Sequence, residues 1–390
     1  MSKYKYIPLG DNVEEMFIGP FGSSLKNECF VDEDEAYCMV YEQKHAIQKT
    51  MDVDTRYVNE QKYNELKRFN VHGGDIIVSC RGTIGETFIV PDDAPIGIMH
   101  PSIMKIRLKE GVYDKYYFNL LLKSRLKKHE AEANGSGIKM AISATELGKE
   151  LFPVPTMEEQ LEITDIISRI SSVIEKRKQE LSTLDNLIKA RFVELFGDPL
   201  TNPKGYPVKV LPEIAEYWNG LTYKPEDVSD EGTIVLRSSN IQNATLDFED
   251  TVRVSCQISD KKYVQDNDIL MCSRNGSARL VGKVALIKDI EEPMSFGAFM
   301  MIIRSDYYPY LMTYFQMPAF RAQIATGATT TINQITGRML DVVKLPVPDM
   351  DVINEFSDFI HQVDKSKVAI QKALNQAQTL FDSLMQDYFG

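Results

Sequence analysis

Two long stretches of the chain place apolar residues at intervals of three and four, with polar residues between them. This period is typical of a helix that presents a narrow apolar seam to another helix. The first seam is formed by Ile163, Ile167, Ile170, Ile174, Leu181, Leu184 and Ile188, and the second by Phe356, Ile360, Val363, Ile370, Leu374, Phe381 and Leu384. The pattern predicts two coiled-coil helices. It leaves open the alternative of an amphipathic helix that packs only on its own domain.

The second helical stretch repeats the first after an offset of 193 positions. Residues 152–155 (FPVP) match 345–348 (LPVP), and residues 75–77 (DII) match 268–270 (DIL). We expect this offset to hold from Asp75 to the end of the chain and to be lost upstream, where loop lengths differ. A repeat of this length indicates a duplicated domain, because the units of solenoid proteins are far shorter.

Prolines and a short linker define how the two copies are connected. The prolines of each PVP segment require an extended backbone, so each long helix begins after them. The linker 198–206 can span roughly 30 Å, whereas a helix of about 40 residues is roughly 60 Å long. We therefore expect the two helices to pair antiparallel, with the globular domains at opposite ends.

Together these features predict a mixed α+β fold with a pseudo-two-fold internal repeat. Two α/β domains are separated by two long helices that form an antiparallel coiled coil. The predicted boundaries are 1–155 for the first globular domain, 156–197 for the first helical region, 198–206 for the linker, 207–348 for the second globular domain and 349–390 for the second helical region.

The composition is typical of a soluble globular protein, with 43% hydrophobic and 26% charged residues. No apolar run is long enough to cross a bilayer, and the first residues lack the apolar segment of a signal peptide. The five cysteines form no CxxC pair, so we expect reduced thiols in a cytoplasmic protein.

No catalytic or metal-binding motif is evident in the sequence. It has no GxxxxGK[ST] loop and no GxGxxG after a predicted strand, and its five histidines lack the spacing of metal ligands. We therefore expect no catalytic residue, metal or cofactor in this chain. The net charge of −12 also argues against a nucleic-acid binder that acts alone through electrostatic attraction.

Polar loops at matching places of the two copies are the candidate recognition sites. Two of them follow the predicted strands 75–80 (DIIVSC) and 268–272 (DILMC). Their Arg, Ser, Thr and Asn side chains are suited to phosphates and base edges, although each loop could equally be a plain turn. The candidate DNA-binding residues are Ser23, Ser24, Lys26, Arg81, Thr83, Ser136, Lys139, Tyr223, Lys224, Arg237, Ser238, Asn240, Arg274, Asn275, Ser277, Thr330 and Asn333.

With these features in view, the chain resembles the specificity subunit of Type I restriction–modification systems over nearly its whole length. The resemblance rests on the segments 135–139 (GSGIK) and 152–163 (FPVPTMEEQLEI) and on the long helix that follows. The first copy has the family's PxPxxEQxxI pattern, with Glu159 and Gln160. The second copy has Val352 and Ile353 instead, so we expect any contact of that pair to be lost there.

The resemblance implies a non-catalytic, DNA-binding subunit. Each globular domain would be a target-recognition domain that reads one half of a bipartite site in double-stranded DNA. The coiled coil would set the spacing and dock two modification subunits, which are adenine-N6 methyltransferases that bind S-adenosylmethionine. Restriction subunits with ATP and Mg would complete the complex. The chain itself would hold no cofactor and contact no membrane.

Two alternatives remain open at this point. The first is a coiled-coil interaction scaffold that does not bind DNA, which the acidic net charge favours. The second is a relative that acts with a fused or paired modification–cleavage enzyme outside Type I systems.

Overall fold

A computed structural model of the chain describes residues 4–81, 83–136, 143–325 and 333–390. The chain divides into two compact units. The first unit consists of Met1–Lys176 with Ala373–Gly390, and the second of Arg177–Lys372. Each unit therefore contains one globular domain and a segment of each long helix, whereas the predicted boundaries treat each helix as a region of its own.

Short strands and helices followed by one long helix make up the first half of the chain. In chain order these elements are β1 (Lys5–Pro8), β2 (Val13–Ile18), β3 (Cys38–Tyr41), α1 (Gln43–Gln48), β4 (Tyr57–Val58), α2 (Glu60–Glu65), β5 (Asn70–Val71), β6 (Ile76–Ser79), β7 (Thr87–Ile89), β8 (Gly97–Met99), β9 (Ile103–Leu108), α3 (Lys115–Ser136), α4 (Ala144–Lys149), β10 (Leu151–Val154) and α5 (Met157–Phe196).

Two four-stranded sheets form the body of the first unit. One has the antiparallel order β2-β9-β6-β7, and the other has the order β4-β3-β8-β5, in which β3 and β8 are parallel. Strand β6 is fully buried, and its first three residues are apolar, as expected for a strand that packs on both faces. Ile76 and Val78 pack into one core with α3 and α5, and Ile77 packs into a second core with β3 and β8.

The second half of the chain repeats this arrangement. Its elements are β11 (Val208–Val210), β12 (Glu216–Asn219), β13 (Val228–Ser229), β14 (Thr233–Leu236), β15 (Ile241–Gln242), β16 (Thr245–Leu246), β17 (Arg253–Val254), β18 (Ile269–Cys272), β19 (Val284–Leu286), β20 (Met294–Phe296), β21 (Met300–Arg304), α6 (Tyr308–Tyr314), α7 (Pro318–Ala325), α8 (Gly337–Leu340), β22 (Lys344–Pro346) and α9 (Met350–Phe389).

The sheets of the second unit have the orders β12-β21-β18-β19 and β13-β17-β14-β20, again with one parallel pair, β14 and β20. Strand β18 divides its side chains between two cores as β6 does. Ile269 and Met271 pack with the helices, and Leu270 and Cys272 pack with the second sheet. In each unit the first strand of the globular domain pairs antiparallel with the strand that contains the PVP segment. These pairs are β1 with β10 and β11 with β22.

The duplication is thus confirmed, but the expectation of one constant offset is wrong. Tyr113 and Tyr310 are 197 positions apart, yet they are equivalent. Each donates its hydroxyl to a PVP proline carbonyl, at 3.0 Å to Pro153 and 2.8 Å to Pro346. The four extra positions lie in the connection from β18 to β19, which is four residues longer than the connection from β6 to β7. Surface loops tolerate such insertions.

Within each unit the two long helices share a core that includes some of the predicted seam residues, among them Ile188 and Phe356 in the second unit and Ile163 and Leu384 in the first. In the second unit, the ring centroids of Phe192 and Phe356 are 5.8 Å apart, and Lys367 forms an ion pair with Asp185. Positions that rise along α5 contact positions that fall along α9, so these segments run antiparallel. The ion pair also accounts for Lys367, a charged residue at a seam position.

In the first unit, Ile163 and Ile167 on α5 share a core with Phe389 of α9 and with the globular domain. The seams therefore pack both on the other helix and on the domain, so the two alternatives left open by the sequence each describe part of the contact.

In the described part of the chain, no helix is long and apolar enough to span a membrane. The five cysteines are unpaired.

Candidate nucleic-acid interface

In the second unit, loops from the ends of four strands meet to form one surface. Leu221 N donates to Phe296 O at 2.6 Å, and Gly297 N donates to Leu236 O at 2.9 Å. Asn275 Nδ2 donates to Ser238 Oγ at 3.1 Å. We call this the second loop surface and define it as residues 219–221, 237–239, 273–277, 297–299 and 333–334.

The first unit has the equivalent surface. Gly19 N donates to Ile103 O at 2.9 Å, Cys80 N to Ser102 O at 2.8 Å, and His100 N to Tyr41 O at 2.9 Å. We call this the first loop surface and define it as residues 19–24, 42–45, 80–81, 83–85 and 100–102. Loops carried on rigid strand ends commonly hold binding residues.

One glycine in each unit allows these loops to approach closely. A Cβ atom added to Gly19 would lie 2.2 Å from His100 O, and one added to Gly220 would lie 2.1 Å from Phe296 O. No real side chain fits at such distances, so both positions require glycine for the loop after β2 or β12 to lie against the neighbouring strand end.

The predicted site residues of the first unit lie mostly on its loops and in contact with solvent. Ser23, Lys26, Arg81 and Thr83 are exposed, and Ser24 is half-buried. All but Lys26 belong to the first loop surface. Lys139 and the side chain of Ser136 lie outside the described residues.

In the second unit the structure brings six predicted residues together on the second loop surface: Arg237, Ser238, Arg274, Asn275, Ser277 and Asn333. Asn275 Oδ1 accepts a bond from Ser277 N at 2.9 Å, and Asn275 N donates to Asn333 O at 3.4 Å. Two further predicted residues follow segment 219–221 in the sequence: Lys224 is exposed, and Tyr223 is half-buried. Thr330 lies outside the described residues.

Asn240 is a correction to the predicted site, because it lies in the interior. It is 1% exposed, and its amide group donates to Asp247 O at 2.8 Å and Asp250 O at 2.9 Å. Its Oδ1 accepts from Arg237 N at 2.8 Å, so it holds the loop and cannot reach a base. The Arg237 guanidinium is in turn bound to Asp250 at 2.8 Å.

A charged cluster centred on Glu42 of the first loop surface was not predicted. Glu42 forms ion pairs with Arg56 and with Lys44, the latter at 2.8 Å. Burial raises the pKa of Glu42, but these two cations lower it more, and the net pKa lies below the ordinary value. His45 occupies the position equivalent to Asn240. Its Nδ1 accepts from Glu42 N at 3.0 Å, as Asn240 Oδ1 accepts from Arg237 N. A His and an Asn share no residue-type pattern that would reveal this equivalence.

Helix α3 adds a second unpredicted group, the lysines 123 and 127, one turn apart. Burial is the main reason that the pKa of Lys123 is lowered, and the nearby charges of Lys49 and Lys127 add to the effect. Like charges held together favour a bound anion such as a phosphate. Among the described residues, no group of three or more His, Cys, Asp or Glu side chains is placed to hold a metal ion.

Comparison with known proteins assigns the family. The model of the Type I restriction modification DNA specificity domain matches residues 23–185 and 203–378, which together exceed half of the chain. The chain belongs to this family. Each matched segment lies within one copy of the repeat, so the role in DNA sequence recognition predicted from the sequence is confirmed.

Curated relatives align at low identity. The Type I restriction enzyme MjaVIII specificity subunit of Methanocaldococcus jannaschii is 22% identical over 354 residues, which cover 80% of this chain and 79% of the relative. The Type I restriction enzyme StySPI specificity subunit of Salmonella potsdam is 26% identical over 183 residues, which cover 44% of this chain and 39% of the relative. The second alignment thus spans less than half of that subunit.

Solved structures share the fold across the whole chain. The Type I restriction–modification S subunit from M. genitalium matches with a TM-score of 0.55 at 14% identity, over 100% of this chain and 96% of that one. A chain from a structure that describes complex assembly and conformational transition of the Type I R-M system matches with a TM-score of 0.58 at 14% identity, over 99% and 97%. At this identity the likeness shows the fold alone.

Proposed function

We propose that this chain is the DNA-reading subunit of a Type I restriction–modification complex, in which each globular domain reads one half of a bipartite site. The observation that carries this proposal is the equivalence of the two loop surfaces. Both are built on the same strand ends and require a glycine at the same place, and each carries an exposed arginine, Arg81 or Arg274. Their other side chains differ, which suits two different half-sites.

The proposal includes partners that perform the chemistry. Two modification subunits would supply S-adenosylmethionine and methylate adenine at N6, and restriction subunits would supply ATP- and Mg-dependent cleavage. The net charge of −12 supports such partners, because a subunit this acidic gains from cations that others bring to the phosphates. The long helices would dock the modification subunits and set the spacing of the half-sites, and the complex would act in the cytoplasm.

Methylation mapping in a host that expresses this chain with its modification subunit tests the proposal. We expect a new motif with methyladenine in each of two halves separated by a fixed gap. A host that shows no new motif, although the purified subunits form a stable complex, would contradict it.

The scaffold alternative gives a different result in a binding experiment. A scaffold that does not recognise DNA would retain all duplexes equally, or none. Retention of one duplex sequence by the purified complex, with competition by that sequence alone, would eliminate it.

A further inference from the structure

The second loop surface contains an exposed aromatic residue, Phe299. Phe299 connects β20 to β21 and is 59% exposed. Single exposed apolar residues are common on protein surfaces, so exposure alone carries no inference. The contacts that hold this residue in place are the informative feature.

The backbone of Phe299 is fixed by three hydrogen bonds to one carbonyl. Its oxygen accepts from Ser273 N at 2.9 Å, from Ser273 Oγ at 2.9 Å and from Arg274 N at 3.1 Å. Ser273 is 1% exposed, and its own carbonyl accepts from Ile335 N at 2.7 Å. The ring is therefore presented to solvent by a rigid loop, and such preorganisation lowers the entropy cost of binding.

The guanidinium of Arg274 lies over this ring, 5.4 Å from its centroid. Within the described part of the chain, Arg274 makes no ion pair, in contrast to Arg237 and Arg304, whose guanidinium groups bind Asp250 and Asp268. The ring thus orients an arginine whose hydrogen-bond donors remain available to a ligand.

We propose that Arg274 and Phe299 together read a guanine next to a thymine in the half-site of the second domain. The guanidinium donates to O6 and N7 of the guanine, and the ring lies against the C5 methyl group of the thymine in the major groove. This inference rests on the proposed function and deepens it. A ring covered on one face by a guanidinium cannot enter between two base pairs, which disfavours an intercalating wedge.

The first domain lacks this pair. Ser102 has the position of Phe299, because Cys80 N donates to Ser102 O as Ser273 N donates to Phe299 O. Ser102 is 5% exposed, and its hydroxyl lies 2.7 Å from His100 Nδ1. A buried hydroxyl cannot sense a methyl group, so the first domain has no equivalent thymine contact at this position.

The test uses the complex of this chain with its modification subunit and duplexes of the motif found by methylation mapping. Each thymine is replaced in turn by deoxyuridine, which removes only the methyl group, and each guanine by 7-deazaguanine, which removes only N7. We expect wild-type binding to weaken about fourfold at one thymine of the second half-site. At the neighbouring guanine we expect about tenfold weakening.

Two variants connect these effects to the protein. Phe299→Ala should abolish the response to deoxyuridine at that thymine, and Phe299→Leu, which keeps an apolar side chain, should retain most of it. Arg274→Ala should abolish the response to 7-deazaguanine. Thymines of the first half-site are the internal control, and Phe299→Ala should leave their responses unchanged.

Three results would overturn the inference: a second half-site without adjacent guanine and thymine, a Phe299→Ala complex that still responds to deoxyuridine, or wild-type binding that ignores the methyl group. These results leave sequence-specific binding by the wild type intact. Failure of the proposed function is distinct, because the wild-type complex would then bind all duplexes equally.

Discussion

The two units surround the same buried ion pair with different side chains. Asp75 and Asp268, each 1% exposed, accept two bonds at 2.7 Å from Arg107 and Arg304 respectively. At the neighbouring position of the sheet, the first unit has a lysine where the second has an isoleucine. Lys105 lies opposite Ile77 in the first unit, and Ile302 lies opposite Leu270 in the second. The side chains of Lys105 and Ile302 are both fully buried.

Lys105 needs oxygen partners that Ile302 does not. Its Nζ lies 2.6 Å from Glu15 Oε2 and 2.7 Å from Asn70 O, and burial is the main reason that its pKa is lowered. In the second unit, Ile302 packs with Trp218 in an apolar cluster. The first unit therefore depends on compensated charge where the second depends on apolar packing.

The starts of the long helices show the same contrast. Gln160 is fully buried, and its side chain binds Asp114 N at 2.8 Å and the carbonyl oxygens of Val112 and Pro155 at 3.0 Å. Ile353 replaces it in the second unit and packs among apolar side chains. The expected loss of the Gln160 contact is thus confirmed. The two units share the backbone and the buried Asp–Arg ion pair, but different side chains stabilise the neighbouring positions.

The largest difference between the units should appear at Glu15 and its equivalent, Glu216. Glu15→Ala leaves the buried Lys105 without a carboxylate and should destabilise the first unit by about 3 kcal/mol. Glu216→Ala removes an exposed side chain and should change stability by less than about 0.5 kcal/mol. Hydrogen exchange of β9 and β21 measures both, and equal protection losses would contradict the comparison.

Substitutions at the two equivalent helix-start residues, Gln160 and Ile353, should have the next largest effect. Gln160→Ile leaves a buried N–H and two carbonyl groups without partners and should cost about 2 kcal/mol. Ile353→Val, which only shortens an apolar side chain, should cost about 1 kcal/mol. Urea unfolding monitored by exchange in each unit gives both values. A stabilising Gln160→Ile would show that the amide is not needed.

Two asparagines of the second unit should separate folding from binding. Asn240→Ala breaks the three loop-holding bonds and should destabilise the second unit by about 1 to 2 kcal/mol. Asn275→Ala should leave its stability within about 0.5 kcal/mol but weaken DNA binding. The fluorescence of Trp218, the single tryptophan of the chain, reports unfolding of this unit. A destabilised Asn275→Ala protein would assign that residue to the fold.

The smallest expected effect is an acid sensitivity specific to the first unit. Burial raises the pKa of Glu15, but bonding to Lys105 and the charges of Lys105, Arg107 and His72 lower it more, to below the ordinary 4.5. Its stabilising contribution is therefore complete above pH 4.5 and is lost as the pH falls through the lowered pKa. Urea unfolding at pH 3 to 6 should show this loss in the wild type, and Glu15→Gln should flatten it.

Much of this architecture could be predicted from the sequence because it follows from periodicity. The seam positions, the PVP strands and the polar loops can each be recognised from the residue types within a short segment of the sequence. The four-residue insertion between β18 and β19 leaves no such pattern, because Tyr310 and Thr336 are four positions closer in sequence than their equivalents Tyr113 and Ser143, which restores the offset of 193.

Two residues, Asn240 and Phe299, show why some features of the candidate site could be found only from the structure. Asn240 has the composition of a recognition residue, but its burial depends on carbonyl groups several positions away. Phe299 lies in an apolar run that reads as a buried strand, 294–304 (MSFGAFMMIIR). It is exposed because Ala298 and Phe299 form a turn between β20 and β21, closed by a hydrogen bond from Met300 N to Gly297 O at 2.8 Å, which the sequence pattern does not reveal.

Replacement of residues 206–345 by the corresponding domain of another family member, followed by methylation mapping, tests whether each loop surface reads its own half-site. We expect a motif in which one half-site changes while the other half and the gap are retained. A motif in which both halves change, or neither, would contradict the assignment of one half-site to each loop surface.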